Sequence, residues 1–404
     1  MTDLMIEAMG ARGEGLAHRD GARIFVPYTL PGERVRADVQ GERGRVKEIL
    51  DPASDRVSPT CRHFRRCGGC LLQHWSSSSY AQWKRQLVVD ALSRRGLADT
   101  EVAPLVDAHG AGRRRVTFTV AGGKAGFSAH RSHDHVPVAK CPVLVPQLAQ
   151  ASDIAAGLVR TLKLKKPQRV CLLASDTGID CDLAGIDDPL LDARVRIAEI
   201  ADEFGLARVS ASGDMLIERA RPVLSVGAAK VTPPPGGFAQ ATAAGEAALA
   251  AIVTPALAQH PVVADLFCGW GAFGLRLAKT SRVLAVDADK PAIEALQAAA
   301  RGTTGLKPQI ARTRDLMRDP LSAAELKGVT GAVFDPPRAG AAQQAAELAA
   351  TGTMQTIVGV SCDAGTFARD ASILVNGGFR LERVVPVDQF QYSAHVEMVG
   401  VFSR

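Results

Sequence analysis

The spacing of apolar and polar residues predicts a small all-β unit at the start of the chain. Residues 22–39, "ARIFVPYTLPGERVRADV", alternate apolar and polar side chains on either side of a Pro-Gly turn, which indicates two strands. Several short strands within about 50 residues are typical of an OB-like barrel, a common platform for nucleic acids. We therefore predict such a barrel over residues 1–55.

A different pattern follows over residues 56–230, which we predict to be a central α+β region. It begins with closely spaced cysteines, and residues 76–98 have the periodicity of a helix that ends at Gly96. Further along, "RRRVTFTVAGGKAGFSAH" (113–130) indicates a hairpin, and "LDARVRIAEIADEFG" (191–205) indicates a helix.

The pattern changes again after "VTPPPGG" (231–237), the clearest break in the chain. Short apolar segments then alternate with helical ones, and four of them predict buried strands: "PVVADLFCG", "RVLAVDAD", "GAVFDPP" and "TIVGVSC". This alternation indicates an α/β fold with a doubly wound parallel sheet over residues 231–404.

Composition and charge narrow the class of protein. No apolar run reaches the roughly 20 residues that a membrane-spanning helix needs, and the first residues lack the features of a signal peptide, so we expect a cytoplasmic protein that does not bind membranes.

The net charge is only +6, but basic residues are concentrated in one third of the chain. Any one cluster could be a solvated face, whereas several clusters beside a cysteine motif favour a polyanionic partner. These residues are Arg62, Arg65, Arg66, Lys84, Arg85, Arg94, Arg95, Arg113, Arg114 and Arg115.

The eight cysteines are interpreted as ligands or catalysts rather than disulfide partners in a cytosolic chain. Three of them form a C-x5-C-x2-C motif at residues 61–70, and a distant cysteine would complete a set of four thiolates. Four thiolates suit an iron–sulfur cluster or zinc, and spacing alone does not choose between them. Cys171 and Cys181 are interpreted as packing residues.

A glycine-rich turn in "DLFCGWGAFGLRLA" (265–278) predicts a nucleotide site. Gly269 and Gly271 allow a tight turn from a buried strand into a helix that we expect to begin near Ala272. Asp287 ends the next strand, where a carboxylate can accept hydrogen bonds from ribose hydroxyls. A dinucleotide fold stays open, although the turn lacks a third glycine at the usual spacing.

Two further strand ends carry reactive groups. "FDPPRAG" (334–340) makes a rigid loop that places Asp335 within reach of a cofactor and a substrate, unless it is a plain turn. Cys362 follows another strand of the same sheet, and Glu397 precedes the last strand. A thiolate that adds to C6 of a pyrimidine makes C5 nucleophilic towards a methyl sulfonium, and a carboxylate can then remove the C5 proton. The alternative for Cys362 is a buried structural cysteine.

Together these motifs resemble the S-adenosylmethionine-dependent RNA (uracil-5-)-methyltransferases, and most closely their iron–sulfur branch that acts on 23S ribosomal RNA. The resemblance runs nearly end to end and follows the family's order. It rests on "GEGLAHRDGARIFVPYTLPGERV", "CRHFRRCGGCLLQHW", "DLFCGWGAFGLRLA", "DPPRAG", "SCDAGTFARD" and "HVE".

The resemblance implies a fold and a set of roles. Residues 231–404 would form a Rossmann-like class I methyltransferase domain, residues 1–55 an OB-like TRAM barrel that binds RNA, and residues 56–230 a central iron–sulfur region. Cys362 would be the nucleophile and Glu397 the general base. The residues that contact S-adenosylmethionine would be Gln240, Phe267, Asp287 and Asp335. The ligands of a [4Fe-4S] cluster, favoured over zinc, would be Cys61, Cys67, Cys70 and Cys141.

The function so implied is methyl transfer to C5 of a uridine in RNA by a monomer without an obligate protein partner. We favour 23S rRNA as the substrate over the T-loop of tRNA. The alternatives are a methyltransferase with a different acceptor and a non-catalytic RNA-binding protein. Four departures from the family pattern bear on efficiency: Asp363-Ala364 in place of Asn-Pro, Thr242 and Ala272 in place of asparagines, and "FQYS" before His395.

Overall fold

The structure, a computed structural model, describes residues 1–164, 166–186 and 191–404. The chain begins with a six-stranded, mostly antiparallel sheet in the order β1-β5-β6-β4-β3-β2. Its inward side chains, among them Ile24, Val26 and Val35, form a separate small core, as the alternation in the sequence predicted. The strands are β1 (Thr2–Met5), β2 (Ala8–Met9), β3 (Glu14–Arg19), β4 (Ala22–Pro27), β5 (Arg34–Gln40) and β6 (Arg43–Asp51).

A cysteine-bearing segment without long regular elements leads into helix α1 (Ser77–Ser93). The Ser76 hydroxyl accepts a hydrogen bond from Ser79 N and caps the helix. The predicted helix is confirmed, and it ends three residues before Gly96, which has a positive φ of 75°. Two very short strands follow, β7 (Glu101–Val102) and β8 (Val106–Asp107).

The central region contains a seven-stranded sheet in the order β11-β10-β9-β12-β13-β14-β15, with two helices packed on it. The predicted hairpin of residues 113–130 and the helix at residue 191 are both confirmed. The elements are β9 (Arg115–Ala121), β10 (Lys124–Ser128), β11 (His135–Pro137), α2 (Ala151–Thr161), β12 (Gln168–Ser175), β13 (Gly178–Ala184), α3 (Leu191–Glu203), β14 (Leu206–Ala211) and β15 (Asp214–Glu218), followed by the separate hairpin β16 (Leu224–Val226) and β17 (Ala229–Val231).

The C-terminal region alternates strands and helices, as predicted, around a nine-stranded sheet. Its elements are α4 (Ala243–Leu257), β18 (Val262–Leu266), α5 (Gly274–Leu277), β19 (Arg282–Asp287), α6 (Lys290–Arg301), β20 (Gln309–Thr313), β21 (Gly331–Phe334), α7 (Ala342–Ala350), β22 (Thr356–Ser361), α8 (Ala364–Asn376), β23 (Arg380–Asp388) and β24 (Glu397–Ser403).

This sheet is mixed rather than fully parallel, which corrects the prediction. Strands β20, β19, β18, β21 and β22 are parallel, and β24 then inserts antiparallel between β22 and β23. The short connection from β23 to β24 allows only an antiparallel pair, because a parallel crossover needs a dozen or more residues. The C-terminal region is nevertheless an α/β fold, as predicted.

Two short strands from the central region extend the C-terminal sheet. Strand β7 pairs with β23 at Arg383–Glu101, and β8 pairs with it at Val387–Val106. Helix α1 packs against α8 in the same core. The sheet therefore includes residues outside 231–404, and two-residue strands are too short to leave a periodic pattern in the sequence. The division into three domains stays a prediction.

Of the helices in the described ranges, none is long and apolar enough to cross a membrane.

Candidate active site

A cavity of about 520 Å³ lies at the carboxyl ends of β18, β19, β21 and β22. Ligands of open α/β sheets bind at this edge, because the strand ends and helix N-termini converge there. All six residues predicted to act in catalysis or cofactor binding line the cavity: Gln240, Phe267, Asp287, Asp335, Cys362 and Glu397. The structure brings these residues together, while their roles stay predictions.

The glycine-rich turn forms one wall of this cavity. Phe267, Gly269 and Gly271 all have positive φ angles, of 62°, 52° and 91°. Gly269 N donates a hydrogen bond of 2.8 Å to the Asp287 carboxylate, which ties the turn to the end of the next strand. A Cβ atom on residue 271 would lie 2.8 Å from Leu296 Cδ1, so only glycine fits there. The following helix begins at Gly274 rather than near Ala272, and has only four residues.

Asp265, in strand β18, also stabilises the glycine-rich turn, and it was not predicted as a site residue. Its carboxylate accepts a 2.7 Å hydrogen bond from Gly274 N at the start of α5. Burial, with a smaller contribution from the charges of Asp335 and Asp287, raises the pKa of Asp265 to about 8, although the hydrogen bond from Gly274 N lowers it. The signal in the sequence was an acidic residue inside the apolar run "VVADLF".

A chain of side-chain hydrogen bonds joins two carboxylates of the cavity. Gln240 Nε2 donates to Asp335 Oδ2 at 3.3 Å. Gln389 Nε2 donates to Gln240 Oε1 at 2.6 Å and to Glu397 Oε1 at 3.1 Å. Desolvation raises the pKa of Asp335 to about 7 and that of Glu397 to about 8. The charge of Asp287 also raises the pKa of Asp335, and the charge of Asp335 raises that of Glu397. Gln389 was missed, because one glutamine in a loop carries no spacing signal.

Cys362 lies between the end of β22 and the first turn of α8, and it is partly exposed. Burial, followed by the charges of Glu397 and Asp335, raises the pKa of its thiol to about 11, while Arg338 lowers it. The neighbouring Asp363 caps α8, because its Oδ1 accepts hydrogen bonds from Gly365 N and Thr366 N at 3.0 and 3.1 Å. This departure from the family pattern therefore has a structural use.

The departure at Thr242 also has a structural use. Its hydroxyl caps α4 by accepting a 2.8 Å hydrogen bond from Gly245 N, and it donates to Ala108 O at 2.6 Å. Ala272 lines the cavity of about 520 Å³ with a small side chain. We call this cavity, lined also by Asp287, Asp335 and Cys362, the cofactor-side cavity.

A second, larger groove of about 1070 Å³ is also lined by Cys362. Its basic residues come from five separate segments of the chain, which the fold brings together. They are Arg12, Arg94, Arg95, His130, Arg131, Arg338 and His395. Arg94 and Arg95 belong to the predicted basic clusters, whereas Arg12 and Arg131 were missed. We call this surface the basic groove.

The run Arg113-Arg114-Arg115, by contrast, does not form a free basic face. Arg114 is buried and donates to Glu246 Oε2 at 2.5 Å, and Arg276 holds the other oxygen of the same carboxylate. The guanidinium groups of Arg113 and Arg115 lie over the rings of Phe390 and Phe238, each at 5.9 Å. These arginines join the central and C-terminal regions, and the assignment of the buried, paired Arg114 to a polyanion-binding cluster is wrong.

The four predicted ligand cysteines line one cavity of about 380 Å³. Cys61 Sγ accepts a hydrogen bond from His63 N and Cys67 Sγ one from Gly69 N, both at 3.4 Å, an arrangement that suits thiolate ligands. The buried amide nitrogen of Gln73 lines the same cavity without a partner among the described residues. In the described ranges, however, no three His, Cys, Asp or Glu side chains come together as a ligand set. The four thiols are chemically suitable ligands for a metal ion or an iron–sulfur cluster. Within the described ranges, however, they do not form a ligand set.

Comparison with known proteins gives a consistent result. A family model described as tRNA (Uracil-5-)-methyltransferase matches residues 236–404. The chain is 44% identical to a Caulobacter vibrioides protein named as an uncharacterized RNA methyltransferase, with 100% of both chains covered. It is 32% identical to the 23S rRNA (uracil(1939)-C(5))-methyltransferase of Alkalilimnicola ehrlichii, over 100% of this chain and 96% of that one.

A solved structure shows the same fold along nearly the whole chain. The Pyrococcus abyssi tRNA (uracil-54, C5)-methyltransferase, in complex with S-adenosyl-L-homocysteine, aligns with a TM-score of 0.78 at 21% identity over 99% of each chain. The family is shown by identity above 30% over the full length of an RNA uracil methyltransferase. The chain belongs to the RNA (uracil-5-)-methyltransferase family and is an S-adenosylmethionine-dependent enzyme of that class.

Proposed function

We propose that this enzyme methylates C5 of a uridine in 23S rRNA through a covalent bond between Cys362 and C6 of the base. One observation carries the proposal: Cys362 lines both the cofactor-side cavity and the basic groove. A base that enters from the groove would meet the thiol on one side and the methyl donor on the other.

The chemistry assigns a step to each residue. The Cys362 thiolate adds to C6, and the electron pair of the C5–C6 double bond becomes available at C5. C5 attacks the methyl group and the sulfonium leaves as a neutral thioether. Glu397 then takes the C5 proton, the C5–H electron pair restores the double bond, and the thiolate is expelled. Glu397 Oε2 has no hydrogen-bond partner within the described chain, so this oxygen can accept a proton.

The cofactor would lie along the glycine turn. Asp287, at the end of β19, has the position in which a carboxylate accepts hydrogen bonds from ribose hydroxyls. Gln240, Phe267 and Asp335 would contact the remainder of S-adenosylmethionine. In each case the support is the shared cavity together with the family motifs.

The RNA would occupy the basic groove, with the target uridine out of its stack. The β-sheet unit of residues 1–55 contributes Arg12 to that groove, which supports its role as a TRAM-type RNA-binding domain. The full-length relative named for 23S rRNA favours this substrate over tRNA, since the tRNA-directed structure at 21% identity argues for the fold alone.

Cys61, Cys67, Cys70 and Cys141 would hold a [4Fe-4S] cluster, with zinc as the alternative occupant. Support comes from the shared cavity and from the N–H···S hydrogen bonds at two of the thiols. When bound, the group would cross-link the loop of residues 61–70 to Cys141. Methyl transfer needs no electron from it, so its role would be structural.

The experiment uses 23S rRNA fragments and tRNA transcripts that contain 5-fluorouridine. Fluorine does not leave C5 as a proton, so the enzyme should stall as a covalent protein–RNA adduct that survives a denaturing gel. We expect an adduct with the 23S fragment, and none for Cys362→Ala, which should still bind S-adenosylhomocysteine. An adduct with tRNA alone would overturn the substrate, and no adduct with either RNA would overturn the covalent mechanism.

A further inference from the structure

The side-chain amide of Gln389 has only one orientation that its neighbours allow. Both groups that its nitrogen contacts, Gln240 Oε1 and a Glu397 oxygen, are acceptors, so the NH₂ group must face them. The Gln389 carbonyl oxygen then faces Gly245 in the first turn of α4, where a Cβ atom would lie 2.7 Å from it. Glycine at position 245 leaves space for the amide, whose oxygen is buried and has no hydrogen-bond partner among the described residues.

The backbone on either side of Gln389 is fixed by a buried ion pair. Asp388 is fully buried and accepts hydrogen bonds from Lys84 Nζ at 2.6 Å and from Tyr80 OH at 2.8 Å. His109 contacts the same carboxylate at 2.9 Å, and Phe390 N donates to it at 2.9 Å. The residues before and after Gln389 are therefore held by α1 and by the loop after β8.

We infer that Gln389 is a positioning residue for the general base: its amide holds one oxygen of Glu397 so that the other oxygen faces the cavity that contains Cys362. This inference rests on the proposed role of Glu397. The geometry agrees, because Glu397 Oε1 accepts from Gln389 while the buried Oε2 has no partner in the described ranges, and the Glu397 side chain lines the same cavity as Cys362.

The inference predicts a defect in one step only. Addition of the thiol to C6 and methyl transfer do not use Glu397 as a base, so both should proceed without Gln389. Loss of the amide hydrogen bond should slow removal of the C5 proton, and with it the expulsion of Cys362. The methylated covalent adduct should then accumulate on ordinary uridine RNA, which a general loss of stability would not cause.

The test is a single-turnover reaction of the full-length enzyme with uridine-containing 23S rRNA fragment and radiolabelled S-adenosylmethionine. Samples are quenched over time and run on a denaturing gel. For Gln389→Met we expect about 10-fold slower decay of the labelled adduct, which is the cost of roughly one hydrogen bond to a charged group. The matched control is Gln355→Met, an exposed glutamine next to β22, whose adduct should decay as in the unmodified enzyme.

A second variant displaces the amide without changing its chemistry. Gly245→Ala should push Gln389 away from α4 and slow adduct decay in the same way, while S-adenosylhomocysteine binds both variants normally. Normal decay of the adduct in both variants would overturn the inference. Loss of S-adenosylhomocysteine binding would also overturn it, because the role of Gln389 would then be to hold the cofactor contact Gln240. Glu397→Gln distinguishes the two proposals: if it also shows no accumulated adduct, the base assignment itself fails.

Discussion

The two candidate sites of this enzyme differ in how completely the polypeptide builds them. Around the cofactor-side cavity, hydrogen bonds already connect Gly269 to Asp287 and Asp335 through two amides to Glu397. Around the cysteine cavity, the thiols share a space without forming a ligand set in the described chain. The first site lies on strand ends that backbone pairing holds in register, whereas the second lies on loops. A site built on loops depends more on its ligand for its shape.

The largest expected effect is the loss of iron from a variant that lacks one predicted ligand, and it tests the difference between the two sites. Cys70→Ser should lose nearly all bound iron after anaerobic purification, because a cluster with one ligand removed is no longer held by four thiolates. S-adenosylhomocysteine binding should not change, since the strand-end site is assembled by the backbone. Iron and sulfide assays with isothermal titration calorimetry measure both. Cys171→Ser, in a buried strand, is the control and should keep its iron; retention of iron by Cys70→Ser would exclude Cys70 as a ligand.

The buried pair of Lys84 and Asp388 connects α1 to the loop that carries Gln389. Lys84→Met should lower the free energy of unfolding by about 3 kcal/mol, because it leaves a buried carboxylate without its cation. Urea unfolding measures the change. The exposed Lys279→Met is the control, with an effect below about 0.5 kcal/mol. Equal stability of the two variants would show that His109 and Tyr80 alone satisfy Asp388.

The pH dependence of covalent adduct formation tests the effect of Glu397 on the pKa of the Cys362 thiol. The Glu397 charge is the second cause, after burial, of the raised pKa of Cys362. Glu397→Gln removes that charge, so the thiol pKa should fall and covalent adduct formation with 5-fluorouridine RNA should extend to lower pH. Adduct formation rates between pH 6 and 10 give the profile. A profile that moves to higher pH would contradict the predicted sign.

The smallest effect concerns the basic groove. Arg94 is exposed in this groove, and Arg94→Ala should weaken RNA binding several-fold and reduce the slope of log affinity against log salt by about one. Filter binding at several salt concentrations measures the slope. Arg301→Ala, exposed on the last turn of α6, is the control. Equal effects of the two substitutions would show that net charge alone, and not the groove, governs binding.

The corrections share a physical cause. Arg113, Arg114 and Arg115 are a basic run in the sequence, yet Arg114 is neutralised by Glu246, which lies 132 residues further along. The glutamine at position 389 is linked to residue 240 across 149 residues. Pairings at such separations leave no periodic signal, because they depend on how the sheets and helices pack.

The sequence by itself determined the strand-and-helix alternation after residue 237, the glycine turn and the identity of the reactive groups at the strand ends. These features are local, since period, turn chemistry and side-chain type act within a few residues. Only the tertiary structure decided that the last strand inserts antiparallel, that β7 and β8 extend the sheet, and that one amide links Gln240 to Glu397. Such contacts form when distant segments are brought together by burial of a common core, so they depend on the whole chain rather than on any one motif.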